Sequence, residues 1–197
     1  MKVIGMCGGS GSGKGTACAF FAELGIKIID TDKVYHDLTA RATDCLREIS
    51  QAFGSEVVKN DSLDRRALAN IVFSSDEKLA LLNKISHKHI LNEVRRQIVM
   101  HREGGAMGVI VDAPVLFESG FNNECDATIA VCADIDIRIA RIMARDNISE
   151  EKAVARIQSQ KSDEWLRSKC DYYIENNTTP DDLKASVYNI ANKIFDI

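Results

Sequence analysis

The run Gly8-Gly9-Ser10-Gly11-Ser12-Gly13-Lys14 fits the pattern GxxxxGK, and it lies between an apolar stretch, Lys2 to Cys7, and a helical pattern from Lys14 to Leu24. No other feature of the chain constrains the fold as much. Glycines let backbone N–H groups turn inward and admit phosphate oxygens where a Cβ would clash, and the helix N-terminus that follows adds positive potential. Lys14 supplies a point charge for β- and γ-phosphates. Strand, glycine loop and helix in that order call for an α/β sheet whose strands end at the ligand. A glycine turn that binds nothing would need neither the lysine nor its flanking elements.

Other short apolar runs supply the rest of the sheet. Ile26 to Ile29 (ending at Asp30), Met107 to Val111, Ala127 to Val131 and Tyr172 to Ile174 read as buried parallel strands. The expected fold is α/β, a three-layer P-loop NTPase-type parallel sheet with a helical, acceptor-binding insertion and a lid. Residues 1–32, 104–146 and 170–197 are assigned to the nucleotide-binding core, 33–103 to the insertion and 147–169 to the lid. Roughly 70 residues between the second and third strands are far more than a crossover needs. Within them a helix is expected over Arg65 to Phe73. Ser74 and Glu77, at capping-box spacing, predict the start of another that runs through Leu79, Leu82 and Ile85. Near the C-terminus, Thr179 as N-cap and Pro180 in the first turn open a helix with Leu183, Val187, Ile190 and Ile194 on one face.

Charge narrows the partners. With 25 Lys+Arg against 29 Asp+Glu, the net charge of -4 lacks the basic excess that nucleic acid or an anionic membrane surface demands. Neither is expected as a partner, so an anionic ligand must be held by a local cluster of donors. The first apolar run is too short for a signal peptide, and no segment is long enough to span a bilayer, so a cytoplasmic location is expected. The six cysteines are scattered without a CxxC, as reduced thiols in or near a core would be. A monomer or weak homo-oligomer is expected.

A phosphate loop alone does not separate switches, motors and kinases. Asp30-Thr31-Asp32 closes the second strand at the edge where open α/β sheets bind ligands. A carboxylate facing a triphosphate suggests a task, and a hydroxyl acceptor gains about 10² to 10⁴ in rate from a base that takes its proton. Asp32 is the candidate base, and Asp30 would orient it or approach a metal through water. Val109-Ile110-Val111-Asp112 resembles a Walker B strand, with Asp112 available to a water-coordinated Mg²⁺. Gly15 stands where Ser or Thr usually binds that metal, and Thr16 follows. Thr16 and Asp112 are therefore the candidate metal-side groups, with Thr16 read first as a phosphate ligand, and nucleotide oxygens and water are expected to complete the shell.

Arg138, Arg141 and Arg145 recur at i, i+3 and i+7. Such a stripe is ordinarily solvated, but in a kinase it can neutralise the transferring group, with Arg156 and Lys161 on the adjoining lid. His87 and His89 point to nearly opposite faces of a helix, which argues against a metal pair. No guanine-recognising Asn-Lys-x-Asp is present.

These residues, in order, resemble the dephospho-CoA kinases over nearly the whole chain. The likeness runs through Gly8 to Thr16, Leu24-Gly25, Asp30-Thr31-Asp32, Phe53-Gly54 and Leu63 to Leu68 and on to Phe73. It continues through Leu82-Asn83, His87, Ile90, Pro114 to Glu118, Arg145-Asp146, Gln160, Asp171 and Asn176-Asn177. The resemblance implies ATP-dependent phosphorylation of the ribose 3′-hydroxyl of dephospho-CoA, with Mg²⁺, in the last step of coenzyme A synthesis. It implies Asp32 as base, and Gly8, Gly11, Ser12, Gly13, Lys14, Gly15, Thr16 and Asn176 around ATP. Arg65, His87, Pro114, Leu116 and Glu118 fall on the acceptor side, with Lys14, Arg141 and Arg145 at the transferring phosphate. Two positions depart from the family pattern: Gly15 replaces Ser, and Lys88 replaces the proline after the histidine, which removes a kink constraint. Shikimate kinase shares the loop and the Asp-x-Asp strand end. An adenylate-kinase-like enzyme shares Gly15-Thr16 but needs no base, and a regulatory NTPase is the reading from another class.

Overall fold

The computed structural model describes residues 1–197. Strand β1 (Lys2–Cys7) leads through the glycine loop into α1 (Lys14–Glu23), and β2 (Lys27–Asp30) runs directly into α2 (Thr31–Thr39). Then come α3 (Asp44–Phe53), the two-residue strands β3 (Val58–Lys59) and β4 (Ser62–Leu63), α4 (Arg65–Val72) and the long α5 (Asp76–Glu103). The chain continues through β5 (Gly108–Asp112), β6 (Ala127–Cys132), α6 (Ile135–Asp146), α7 (Glu150–Gln158), α8 (Asp163–Lys169), β7 (Tyr172–Glu175) and α9 (Pro180–Phe195).

The main sheet has the order β2-β5-β1-β6-β7, and β1 pairs in parallel with both β5 and β6. Because β1 is central, the loop that leaves it emerges at the middle of the sheet's C-terminal edge. The strands carry continuous apolar runs because helices cover them. Ile4, Met6, Ile110, Ile129 and Val131 pack with Phe21 of α1 and Leu183, Val187 and Ile194 of α9. Each such side chain contributes about 1.5–3 kcal/mol when fully buried. Thr179 and Asp182 form the reciprocal cap that starts α9. No helix is long and apolar enough to cross a membrane.

Two compact units result: Met1–Ile29 with Ile98–Ile197, and Asp30–Gln97. The second has its own core of Cys45, Ile49, Phe53, Val57, Leu68, Val72 and Ile85. Its β3-β4 hairpin turns on Asn60 and Asp61, both with positive φ (49° and 58°), a pair suited to a tight two-residue loop.

Local rules shift one expected boundary. Ser74 does not cap α5, because its hydroxyl donates to Ile71 O at the end of α4 (2.7 Å). Ser75 takes the role and accepts from Lys78 N at 3.4 Å. Lys88 lies inside the unbroken α5, where a proline would remove a helical hydrogen bond and kink the chain.

Candidate active site

The loop from Gly8 to Gly13 takes a shape that two of its glycines make possible. Gly11 and Gly13 have φ of 79° and 90°. A Cβ at Gly13 would lie 2.0 Å from Asn176 Nδ2, and one at Gly11 would lie 2.7 Å from the Arg138 carbonyl oxygen. Left-handed backbone and close packing both require glycine there. Gly13 is also the N-cap of α1, and no side chain caps that end. The first-turn N–H groups therefore suit an anion, as helix N-termini do. Ser12 Oγ, within the loop, is buried without a hydrogen-bond partner.

Long-range hydrogen bonds hold the loop. Asn176 donates to Ser12 O (2.8 Å), and its own N–H is bound by Cys132 O. Arg138 is 4% exposed, so the stripe expected to be solvated is buried at this position. Its Nε donates to Ser10 O (2.9 Å), Nη1 to Asp163 Oδ1 (3.0 Å) and Nη2 to Gln160 Oε1 (3.3 Å). Gln160 in turn accepts from Ser10 N and donates to Ser10 Oγ. One guanidinium thus joins the phosphate loop to the segment expected to be the lid.

The other two arginines diverge. Arg141 donates to Gly11 O (3.3 Å) and lies 3.5 Å from Asn176 Oδ1, so it reaches the loop. Arg145 makes two bonds to Asp146 (2.8 and 2.9 Å), which Arg156 also contacts. The structure does not bring Arg145 to the loop. Both guanidiniums hold the Asp146 carboxyl far below the usual carboxylate range.

At the end of β5, Asp112 is 9% exposed and forms an ion pair with Lys14 Nζ. The two charges stand at the mouth of the uncapped helix, where a phosphate would compete with the carboxylate for the ammonium. Thr16 is exposed on the first turn of α1, and a Cβ at Gly15 would meet no atom within 4 Å. No group of three or more His, Cys, Asp or Glu could hold a metal. That set fits Mg²⁺ carried in on phosphate oxygens, which keeps most of its waters and takes one or two protein oxygens.

Beside the loop, Gly8 and Gly9 border a cavity of about 310 Å³ walled by Pro114, Phe117, Glu118 and Trp165. Phe117 and Trp165 pack edge to face, with centroids 5.2 Å apart. Lys161 lies 5.2 Å from the Trp165 ring centre. Leu116 does not belong to this wall. It is fully buried, and its methyls cover Gly5, where an added Cβ would come within 2.8 Å of them. Trp165 is not among the residues that the sequence singles out, since an isolated Trp carries no spacing signal, and Phe117 enters only as part of the run Pro114 to Glu118.

In the smaller unit, Asp30 and Asp32 separate their roles. Asp30 caps α2 by accepting from Asp32 N (2.8 Å) and Lys33 N (3.0 Å). Both bonds use Oδ1, so helix capping is the role that these contacts give it. Asp32 lies in the first turn of α2, two residues past the strand, and is exposed. Arg65 is exposed and donates to His36 Nδ1 at 3.0 Å. His87 is half-buried on α5. His89 turns away to Glu48 Oε2 (2.7 Å), where Lys88 also binds, so the two histidines do not converge. Lys88 and His89 hold the Glu48 carboxyl below its ordinary range.

A glycine loop leaving the central strand of a parallel sheet, with its lysine and a strand-end aspartate, defines the P-loop class of nucleotide-binding α/β proteins. Within that class, the chain belongs to the dephospho-CoA kinase family, whose sequence model matches residues 2–182. A dephospho-CoA kinase from Bacillus cereus is 38% identical over 192 residues, covering 97% of this chain and 96% of that protein. A solved structure from Thermus thermophilus superposes with a TM-score of 0.79 at 31% identity, over 98% of this chain and 97% of the other. The dephospho-CoA kinase from Campylobacter jejuni gives 0.72 at 27%, with the same coverage.

Proposed function

We propose that this protein transfers the γ-phosphoryl group of ATP to the 3′-hydroxyl of dephospho-CoA, completing coenzyme A. One observation carries the reading: a Lys14-bearing glycine loop at the centre of the sheet edge, in a chain that matches the family over residues 2–182. In this reading the loop N–H groups and the first turn of α1 bind the β- and γ-phosphates, and Lys14 exchanges Asp112 for phosphate oxygen. Phosphoryl transfer passes through a loose transition state, so positioning and charge stabilisation carry most of the catalysis. Arg141, held to Gly11 O, adds positive charge beside the loop. Asp32 accepts the proton of the attacking hydroxyl. Mg²⁺, when bound with the nucleotide, neutralises charge on the β- and γ-oxygens, and Asp112 and Thr16 are the residues that would hold it through water or directly.

Arg65 and His87 serve the acceptor from the insertion, and Pro114 and Glu118 serve it from the cavity beside Gly8. Arg145 would reach a phosphate only by releasing Asp146. The ATP it consumes places the reaction, in this reading, in the cytoplasm. Shikimate as acceptor is not favoured: the insertion, Asp30–Gln97, has a core of its own, more than a small ring needs. The test is ADP release in the presence of ATP, Mg²⁺ and dephospho-CoA, with the product identified as CoA.

A further inference from the structure

Cys7 ends β1, immediately before the glycine loop, and Cys170 is the C-cap of α8, two residues before β7 begins. Their sulfurs lie 3.5 Å apart across 163 positions of sequence. Cys7 is buried, while Cys170 is partly open to solvent. Burial pushes Cys45 up to about 11 and Cys125 up to about 12, as expected for inert core thiols. In the pair the contact between the sulfurs divides the acidities: Cys7 rises, with burial adding to the rise, and Cys170 falls.

We propose that Cys7 and Cys170 are a redox modification site, at which a low-molecular-weight disulfide converts the two thiols into a cross-link that distorts the phosphate loop and slows transfer. The Cys170 thiolate attacks one sulfur of R–S–S–R, forms a mixed disulfide and releases one thiolate. Cys7 then loses its proton and attacks Cys170 Sγ, which expels the second thiolate. The two cysteine protons end on the two R–SH products, so two protein thiols are oxidised and one disulfide is reduced.

Two routes carry the effect to the loop. The sulfurs must close from 3.5 Å to a bond of about 2.05 Å, which moves the residue that precedes Gly8. The same pull acts on α8, whose first residue, Asp163, holds Arg138, and Arg138 holds Ser10 O. A displacement of roughly 1 Å can cost about 10²-fold in rate, so a loss of about 10- to 100-fold is expected. Only this activity readout rests on the kinase reading.

The reduced, full-length protein is incubated with glutathione disulfide; one portion is digested with trypsin without reductant for peptide mapping, and another, undigested, is assayed for transfer from ATP to dephospho-CoA. A cross-linked peptide joining Cys7 to Cys170, a mass loss of two hydrogen atoms, the stated loss of rate and full recovery with dithiothreitol are expected. Cys170→Ser should keep the basal rate and lose the sensitivity. A stable glutathione adduct without the cross-link, linkage through Cys132 instead, or an unchanged rate in the cross-linked protein would overturn the proposal. If the reduced protein transfers no phosphate to dephospho-CoA, the kinase reading fails, while the peptide map still decides whether the site forms.

Discussion

The candidate residues of the two compact units rest on different kinds of contact within each unit, and the difference matters for catalysis. Around the phosphate loop the polar contacts join distant parts of the sequence and range from buried to exposed: buried Asn176 to Ser12, part-buried Arg138 to Ser10, and exposed Gln160 to Ser10. In the unit formed by Asp30–Gln97, the candidate residues stand at or near the surface on partly exposed partners, such as Arg65 on His36. In the proposed reading the phosphate end is built before ligand arrives, as preorganised electrostatic catalysis requires, and the acceptor end is left for the ligand to complete. Substitutions around the loop should therefore act on kcat and on ATP, and those in the insertion on the acceptor KM.

The largest effect is expected at Lys14. Lys14→Ala should lower transfer about 10³-fold or more, since removing a single preorganised charge donor commonly costs about 10² to 10³. Steady-state kinetics would check this, and near-normal turnover would remove the loop from the chemistry. Next comes Asp32→Asn, with a fall in kcat of about 10²-fold and ATP binding retained, as for loss of a base. An unchanged kcat would leave Asp32 a first-turn helix residue only.

Arg138→Ala should act on both stability and binding. Loss of the buried guanidinium leaves Asp163 facing no cation, a change that costs about 3–5 kcal/mol in buried pairs, and the freed loop should raise the ATP KM about tenfold. Thermal denaturation and an ATP titration measure the two. His87→Ala should raise the acceptor KM by about 1 kcal/mol equivalent, roughly fivefold, with the ATP KM unmoved. The reverse pattern would erase the contrast between the units. The smallest effect is expected for Gly15→Ser. Nothing obstructs a Cβ there, helix propensity favours serine by about 0.5 kcal/mol, and the new hydroxyl should lower the Mg²⁺ concentration needed for half-maximal rate.

Much of this was legible in the sequence because local chemistry fixes it. The loop, its flanking strand and helix, and the Thr179 cap each follow from short patterns whose geometry tolerates few alternatives. Arg138 was not legible as a clasp, because the stripe pattern says which helix face a residue shares and not what packs on it. Leu116 and Glu118 are two positions apart, yet one is core and the other walls a cavity, a distinction that tertiary packing makes. The hairpin at Asn60-Asp61 escaped because two-residue strands carry no alternation to read. Asp30 and Asp32 looked alike until the start of α2 made one a cap.

A coupled ADP-release assay run in parallel with dephospho-CoA, shikimate and AMP measures the acceptor directly. Rapid Mg²⁺-dependent turnover with dephospho-CoA alone, yielding CoA, is the predicted result. Equal turnover without any acceptor, or a preference for shikimate or AMP, would contradict the account.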